Sequence, residues 1–184
     1  MRVLFVSQHL PSDLRILVHG VFKRMRMFID AIKEIADLDM LFYVRPDMDV
    51  SPSAVSTAER ALSRHWNAAI RLFLCPRFDH GGVLSKWQLY GAGAFSFFRQ
   101  VGYADTSGPQ QVQALEACLR HHPDAIFAHR LGSMCPLLLT REALPPIFFD
   151  LDDIEHVAFL RSINQQSSWR TRHASVICFK TFSW

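Results

Sequence analysis

Two short stretches carry side chains able to do chemistry. In PDAIFAHRLGS, residues 123–133, an apolar centre from Ala125 to Ala128 leads straight into His129, Arg130 and then Gly132. An imidazole can give or take a proton near neutrality, and a guanidinium can hold an anion. In PIFFDLDDIEH, residues 146–156, a second apolar run delivers Asp150, Asp152, Asp153, Glu155 and His156. Carboxylates so grouped can bind a divalent ion, move protons, or accept hydrogen bonds from hydroxyl groups.

Short apolar runs bounded by turn residues suit strands buried on both faces, as in a parallel sheet. Ligands of open α/β sheets bind beyond the carboxyl ends of the strands. His129 at such an end is therefore a functional candidate. The plain alternative is a histidine that closes a strand and bonds to backbone.

The elements that must position these residues follow in order. RVLFVS (2–7) reads as the first strand, and a long connection, QHLPSDLRILVH, precedes Gly20. Gly20 either lets backbone approach a ligand or relieves packing. From Val21 to Asp37 apolar residues recur every three or four positions, which predicts a helix with Phe22, Met25, Ile29, Ile32, Ile35 and Ala36 inward. Lys23, Arg24 and Arg26 fall on the other side, beside Phe22 and Met27. They form a solvated face or a contact for anionic lipid headgroups. Strands are predicted at 39–44, 69–75, 147–151 and 174–179, in addition to the one ending at His129. A helix is predicted over Pro52–Trp66 with Ser51 as its cap. Further helices are expected over 110–121, with His121 and His122 in its last turn, and over 132–144, with Met134, Leu137, Leu138 and Leu139 inward. Shorter helices are read at 85–89 and 94–101, and a partly helical stretch at 157–172. The Gly91-Ala92-Gly93 triplet follows no strand and lacks a third glycine, so it is no dinucleotide fingerprint.

At 184 residues with 49% hydrophobic composition, the chain suits one domain with a substantial core. Its charge, 20 Lys+Arg against 17 Asp+Glu, neither excludes nor predicts nucleic acid or an anionic membrane, and the reading carries no nucleic-acid partner. Cys75, Cys118, Cys135 and Cys178 form no C-x-x-C pair and fit free thiols of a reducing compartment. A zinc site joining them to His80, His121 or His122 matches no standard ligand spacing, so no metal is assigned. The N-terminal apolar run is too short for a secretory leader, and no run reaches membrane-span length. The expected location is the cytoplasm, with the inner membrane face as the alternative.

The acidic stretch admits several chemistries. Asp150-Leu151-Asp152 after an apolar strand resembles the first motif of haloacid dehalogenase-type phosphatases, in which the first Asp attacks phosphorus. That motif normally opens a domain, and here little chain follows it. The same pair resembles the metal-binding D-x-D of single-domain, metal-dependent glycosyltransferases. Otherwise the acids line a cleft and bind polar groups of an acceptor, or Asp152 or Asp153 caps a following helix.

Taken in order, RVLFVSQHLP, the helix from Val21, PDAIFAHR and PIFFDLDDIEH resemble the N-terminal half of a GT-B glycosyltransferase, most like family 4. The resemblance implies a Rossmann-like α/β fold: a mostly parallel sheet with helices on both faces, forming one domain over 1–184. It implies an acceptor-side domain of an enzyme that moves a sugar from a nucleotide-sugar co-substrate to a polysaccharide or glycolipid acceptor. By resemblance, the catalytic role passes to His129, and Gln8, Gly20, Arg130, Asp153 and His156 become acceptor or cleft residues. The loop after the first strand lacks the paired glycine common in that family. No stretch matches the family's E-x7-E donor segment, so the chain is expected to lack the donor domain and to be inactive without a partner chain supplying it. The ending ASVICFKTFSW reads as that of a truncated or frameshifted product. The rival reading is a Rossmann-like module that binds a sugar or a protein and does no chemistry.

Overall fold

The computed structural model describes residues 1–11, 20–77 and 106–150, and all structural statements refer to these. Five strands, β1 (Arg2–Ser7), β2 (Asp37–Val44), β3 (Ile70–Pro76), β4 (Ala125–His129) and β5 (Ile147–Asp150), form one sheet in the order β3-β2-β1-β4-β5. Every pairing is parallel. Parallel neighbours require crossovers, and four helices supply packing: α1 (Gly20–Ile32), α2 (Pro52–Trp66), α3 (Pro109–Leu119) and α4 (Leu131–Leu139). The chain is thus an α/β protein of Rossmann-like architecture.

Alternation along the central strands divides the core into two layers. Phe5 of β1 and Leu38, Met40, Phe42 and Val44 of β2 pack with Met25 and Ile29 of α1 and Leu62 and Trp66 of α2. Leu4 and Val6 of β1, Leu41 and Tyr43 of β2, and Ile126 and Ala128 of β4 pack with Leu115 and Cys118 of α3 and Leu137 of α4. Helices therefore cover both faces, and the strands between them read as unbroken apolar runs. Cys75 and Cys118 are buried free thiols.

Helix α2 has the bounds its sequence predicts. The Ser51 Oγ accepts from the Ala54 amide at 3.4 Å, Pro52 occupies the first turn, and Asn67 ends the helix at φ 48°. Helix α1 stops before its apolar spacing does. Residues 33–35 turn so that the Asp37 amide can donate to the Met1 carbonyl at 2.9 Å and start β2 beside Arg2. Ile35, predicted inward, is 68% exposed as a result.

Helix α4 also differs from expectation. It ends at Leu139, because Thr140 turns extended and its hydroxyl donates to the Glu116 carboxylate of α3 at 2.9 Å. Only Leu137 of the expected inward leucines is buried; Leu138 and Leu139 are exposed. His121 and His122 lie beyond α3 rather than in its last turn, with the His121 ring 5.5 Å from that of Phe73. The helices expected at 85–89, 94–101 and 157–172, the strand at 174–179, and Cys178 lie outside the described residues.

Candidate functional site

The strand order reverses direction at β1. From there the chain builds outward through β2 and β3, then returns to the other side for β4 and β5. The switch point lies between β1 and β4, where sheets of this class open a crevice at their carboxyl ends. Register brings three polar side chains into one row at that edge: Ser7 of β1 pairs with His129 of β4, which pairs with Asp150 of β5. Residues level with one another on parallel strands share a face, so all three lie on the side covered by α1.

Each member of the row is buried. The His129 Nδ1 is 3.0 Å from the Ser7 Oγ, and its Nε2 is 3.8 Å from the Asp150 Oδ2. Arg24 of α1 reaches down to Asp150, its Nε donating to both carboxylate oxygens at 3.0 Å and its Nη2 to Oδ1 at 2.6 Å. The Arg24 guanidinium also lies over the Phe28 ring, 5.7 Å from its centroid. The Ser7 Oγ accepts from the His9 amide at 3.1 Å. The His9 ring stands edge-on to that of His129, with centroids 6.4 Å apart.

Arg130 follows at the head of α4 with φ 69° and ψ 163°, a backbone state costing a non-glycine residue about 1–3 kcal/mol. The turn is held on several sides. The Arg130 amide donates to the Asp150 carbonyl at 3.1 Å, and the Ser133 hydroxyl donates to the His129 carbonyl at 2.7 Å. The Thr106 hydroxyl donates to the Gly132 carbonyl at 2.8 Å. The Arg130 Nη1 donates to the His9 Nε2 at 3.4 Å, bringing the loops after β1 and β4 together.

Burial pushes the His129 imidazole down to about 4, against the opposing pull of Asp150 and with help from His9, Arg130 and Arg24. Burial likewise lowers His9 to about 4, aided by Arg130 and Arg77. Both rings are neutral at pH 7. The floor of the crevice is thus a set of hydrogen-bonding groups with its one buried carboxylate already matched by Arg24.

Ser7, His129 and Asp150 stand in the order of a nucleophile, base and acid. Ser7 is fully buried, and Asp150 spends both oxygens on Arg24, so an acyl-transfer role does not fit. The same ion pair argues against Asp150 as a phosphatase nucleophile. Among the described residues no three His, Cys, Asp or Glu side chains gather as metal ligands.

Of the residues singled out from sequence, the structure brings His129, Arg130 and Gln8 to one edge. Gln8 follows Ser7, and its terminal amide lies against Gly132, where an added Cβ would overlap it. Gly20 stands apart. It is exposed at the start of α1, and a Cβ there would meet nothing within 4 Å, so neither close packing nor a nearby group requires glycine. Asp153 and His156 lie outside the described residues. Sequence reasoning missed Ser7, His9 and Arg24 as members of the site. The position of Ser7 at the end of a first strand, with His9 just past it, was the available signal.

Gly132→Ala tests the contact with Gln8. Alanine gains about 1 kcal/mol of helix propensity over glycine, while its methyl must displace a flexible amide. Urea unfolding should therefore change by no more than about 1 kcal/mol. The Gln8 side-chain amide resonance should move clearly, and an unmoved resonance would place Gln8 elsewhere.

No protein-family profile matches this sequence, and searches of curated proteins and of solved structures return no match. Fold and site together define a Rossmann-like α/β domain with a row of buried polar side chains, Ser7, His129 and Asp150, at its β1/β4 switch point. Among the described residues no helix is long and apolar enough to cross a membrane.

Proposed function

We propose that this chain is the acceptor-side domain of a glycosyltransferase of the GT-B kind. In this reading its β1/β4 edge receives the sugar or glycolipid acceptor, and a second domain grips the nucleotide-sugar across the cleft. The observation that carries the reading is the polar edge at the switch point: His129, His9, Gln8 and Arg130 converge there, and burial keeps both imidazoles uncharged. Uncharged imidazole and amide groups beside the Arg130 guanidinium suit sugar hydroxyls. A nucleotide diphosphate would instead call for a glycine-cradled turn at a helix N-terminus. The connection after β1, QHLPSDLRILVH, contains no glycine before Gly20. Asp153 and His156, directly after β5, are proposed as further acceptor contacts. Transfer requires the donor domain, from the same or a partner chain. The exposed Lys23, Arg26 and Met27 of α1 are proposed as a peripheral contact with the inner membrane face.

The test is a titration of the isotopically labelled chain. Neutral mono- and disaccharides at millimolar concentration should shift the amides of His9, Arg130 and Leu131, while UDP and GDP leave them in place. Binding of the nucleotides with no response to saccharides would sink the acceptor-side assignment. The complete burial of His129 favours a second reading, in which the crevice binds a sugar and does no chemistry. His129→Gln separates the two in a chain completed by its donor domain. Sugar transfer that persists undiminished in that variant leaves the binding module as the better account.

A further inference from the structure

A buried carboxylate must find a partner, and Asp150 has two within reach. Arg24 takes both oxygens, at 3.0 Å and 2.6 Å to Oδ1 and 3.0 Å to Oδ2. His129 is left 3.8 Å away, beyond hydrogen-bond range, and its Nε2 has no partner among the described residues. On the other side of the ring, the Ser7 Oγ already accepts from the His9 amide at 3.1 Å. Its own hydrogen is free to donate to Nδ1, 3.0 Å distant. A Ser7 hydroxyl donating to Nδ1 would place the ring hydrogen on Nε2.

We propose that Arg24 is a positioning residue for the crevice: by holding both oxygens of Asp150 it draws the carboxylate off His129 and adds to the burial that keeps the ring uncharged, with its hydrogen on Nε2. An uncharged ring adds no second cation beside Arg130, which favours hydroxyl groups over anions as the ligand. Only this last step, the kind of ligand selected, rests on the acceptor-side reading; the charge state of His129 stands without it. Among the described residues, Arg24 on α1, Arg130 after β4 and His9 after β1 oppose an imidazolium, and Asp150 on β5 favours it. Removing Arg24 therefore acts twice. It deletes one repelling cation and leaves a buried carboxylate whose nearest donor is the His129 Nε2.

The experiment follows the His129 imidazole by 15N and 13C NMR across pH in the wild type, Arg24→Gln, Arg24→Lys, Asp150→Asn and the Arg24→Gln/Asp150→Asn double variant. In the wild type the ring should be the Nε2–H tautomer, with a midpoint near the value of about 4 that burial sets. Arg24→Gln should raise that midpoint by more than one pH unit. Arg24→Lys should hold it low, and so should the double variant, which has no carboxylate left to attract the proton. A low midpoint in Arg24→Gln, with far-UV circular dichroism unchanged, overturns the proposal. So does an Nδ1–H tautomer in the wild type. Should Arg24→Gln not fold, Asp150→Asn decides: an unchanged or lower midpoint supports the proposal, and a raised one overturns it. A shifted midpoint in Arg24→Gln alongside silence toward saccharides leaves the charge relation standing and removes the acceptor-side reading. Saccharide binding with an unmoved midpoint does the reverse.

Discussion

Replacing Phe5 by alanine is expected to lower the unfolding free energy by about 3–5 kcal/mol, measured by urea denaturation at pH 7. Phe5 sits in the middle of β1, the central strand of five, and is fully buried. Its ring stacks on Phe127 at 5.5 Å with 3° between the planes, and lies 6.4 Å from Phe42 and 5.9 Å from the His129 imidazole. Truncation loses the transfer energy of an aromatic ring and opens a cavity between three strands that cannot collapse, because parallel pairing holds each in place. It also removes one wall of the His129 site, so the imidazole resonances should broaden or shift. The matched control is Phe148→Ala. That residue lies on β5 at 60% exposure, and its loss should change stability by no more than about 0.5 kcal/mol. Equal effects of the two substitutions would contradict the packing described for β1.

The contrast between these two phenylalanines also marks what the sequence discloses. Both stand in apolar runs, and the runs announce strands. Nothing local says which strand is central. Strand order decides that Phe5 is enclosed and Phe148 is not, and order follows from crossovers whose destination is not written in the runs. The ends of α2 were legible because Ser51 and Pro52 are local signals with local effects. The end of α1 was not: Ile35 and Ala36 continue the helical spacing, and the need to start β2 beside Arg2 overrides it. In α4, Met134, Leu137, Leu138 and Leu139 read as inward, yet the bond from Thr140 to Glu116 ends the helix and leaves Leu138 and Leu139 exposed.

The site divides along the same line. His129 was legible, since a histidine at the end of a buried strand is a position that sequence can define. Its neighbours were not. Ser7 meets His129 across 122 residues through strand register, and Arg24 meets Asp150 across 126. Helical spacing placed Arg24 with Lys23 and Arg26 on a polar face. Arg24 instead turns inward to the carboxylate, while Lys23 and Arg26 remain exposed. A long flexible cation on the margin of a helix can serve either environment, and only a buried acid on another element selects between them.

Acidification from pH 6.5 to about 4 is expected to strip stability from the folded chain, and the two crevice histidines give the reason. Burial, with the cations around them, holds His129 and His9 near 4 in the folded state, against 6.5 for a free imidazole. Between those values the unfolded chain takes up protons that the folded chain refuses. Stability is thus complete above pH 6.5, falls as pH drops through the window, and loses no more from these groups below about 4. For fully buried His129 the whole shift corresponds to roughly 3 kcal/mol. The thiols act at the other end. Burial raises Cys118 to about 12 and Cys75 to about 11, so stability should also fall as the pH rises beyond 9, where unfolded thiols ionise. Urea midpoints measured from pH 4 to 8 should rise through the acid window and then level off. His129→Gln, which cannot take up a proton in either state, should flatten that rise even if it lowers stability at pH 7. A slope equally steep in the variant would place the acid sensitivity in other groups. The flattening would show that the ring at the switch point is kept neutral at a cost in acid stability.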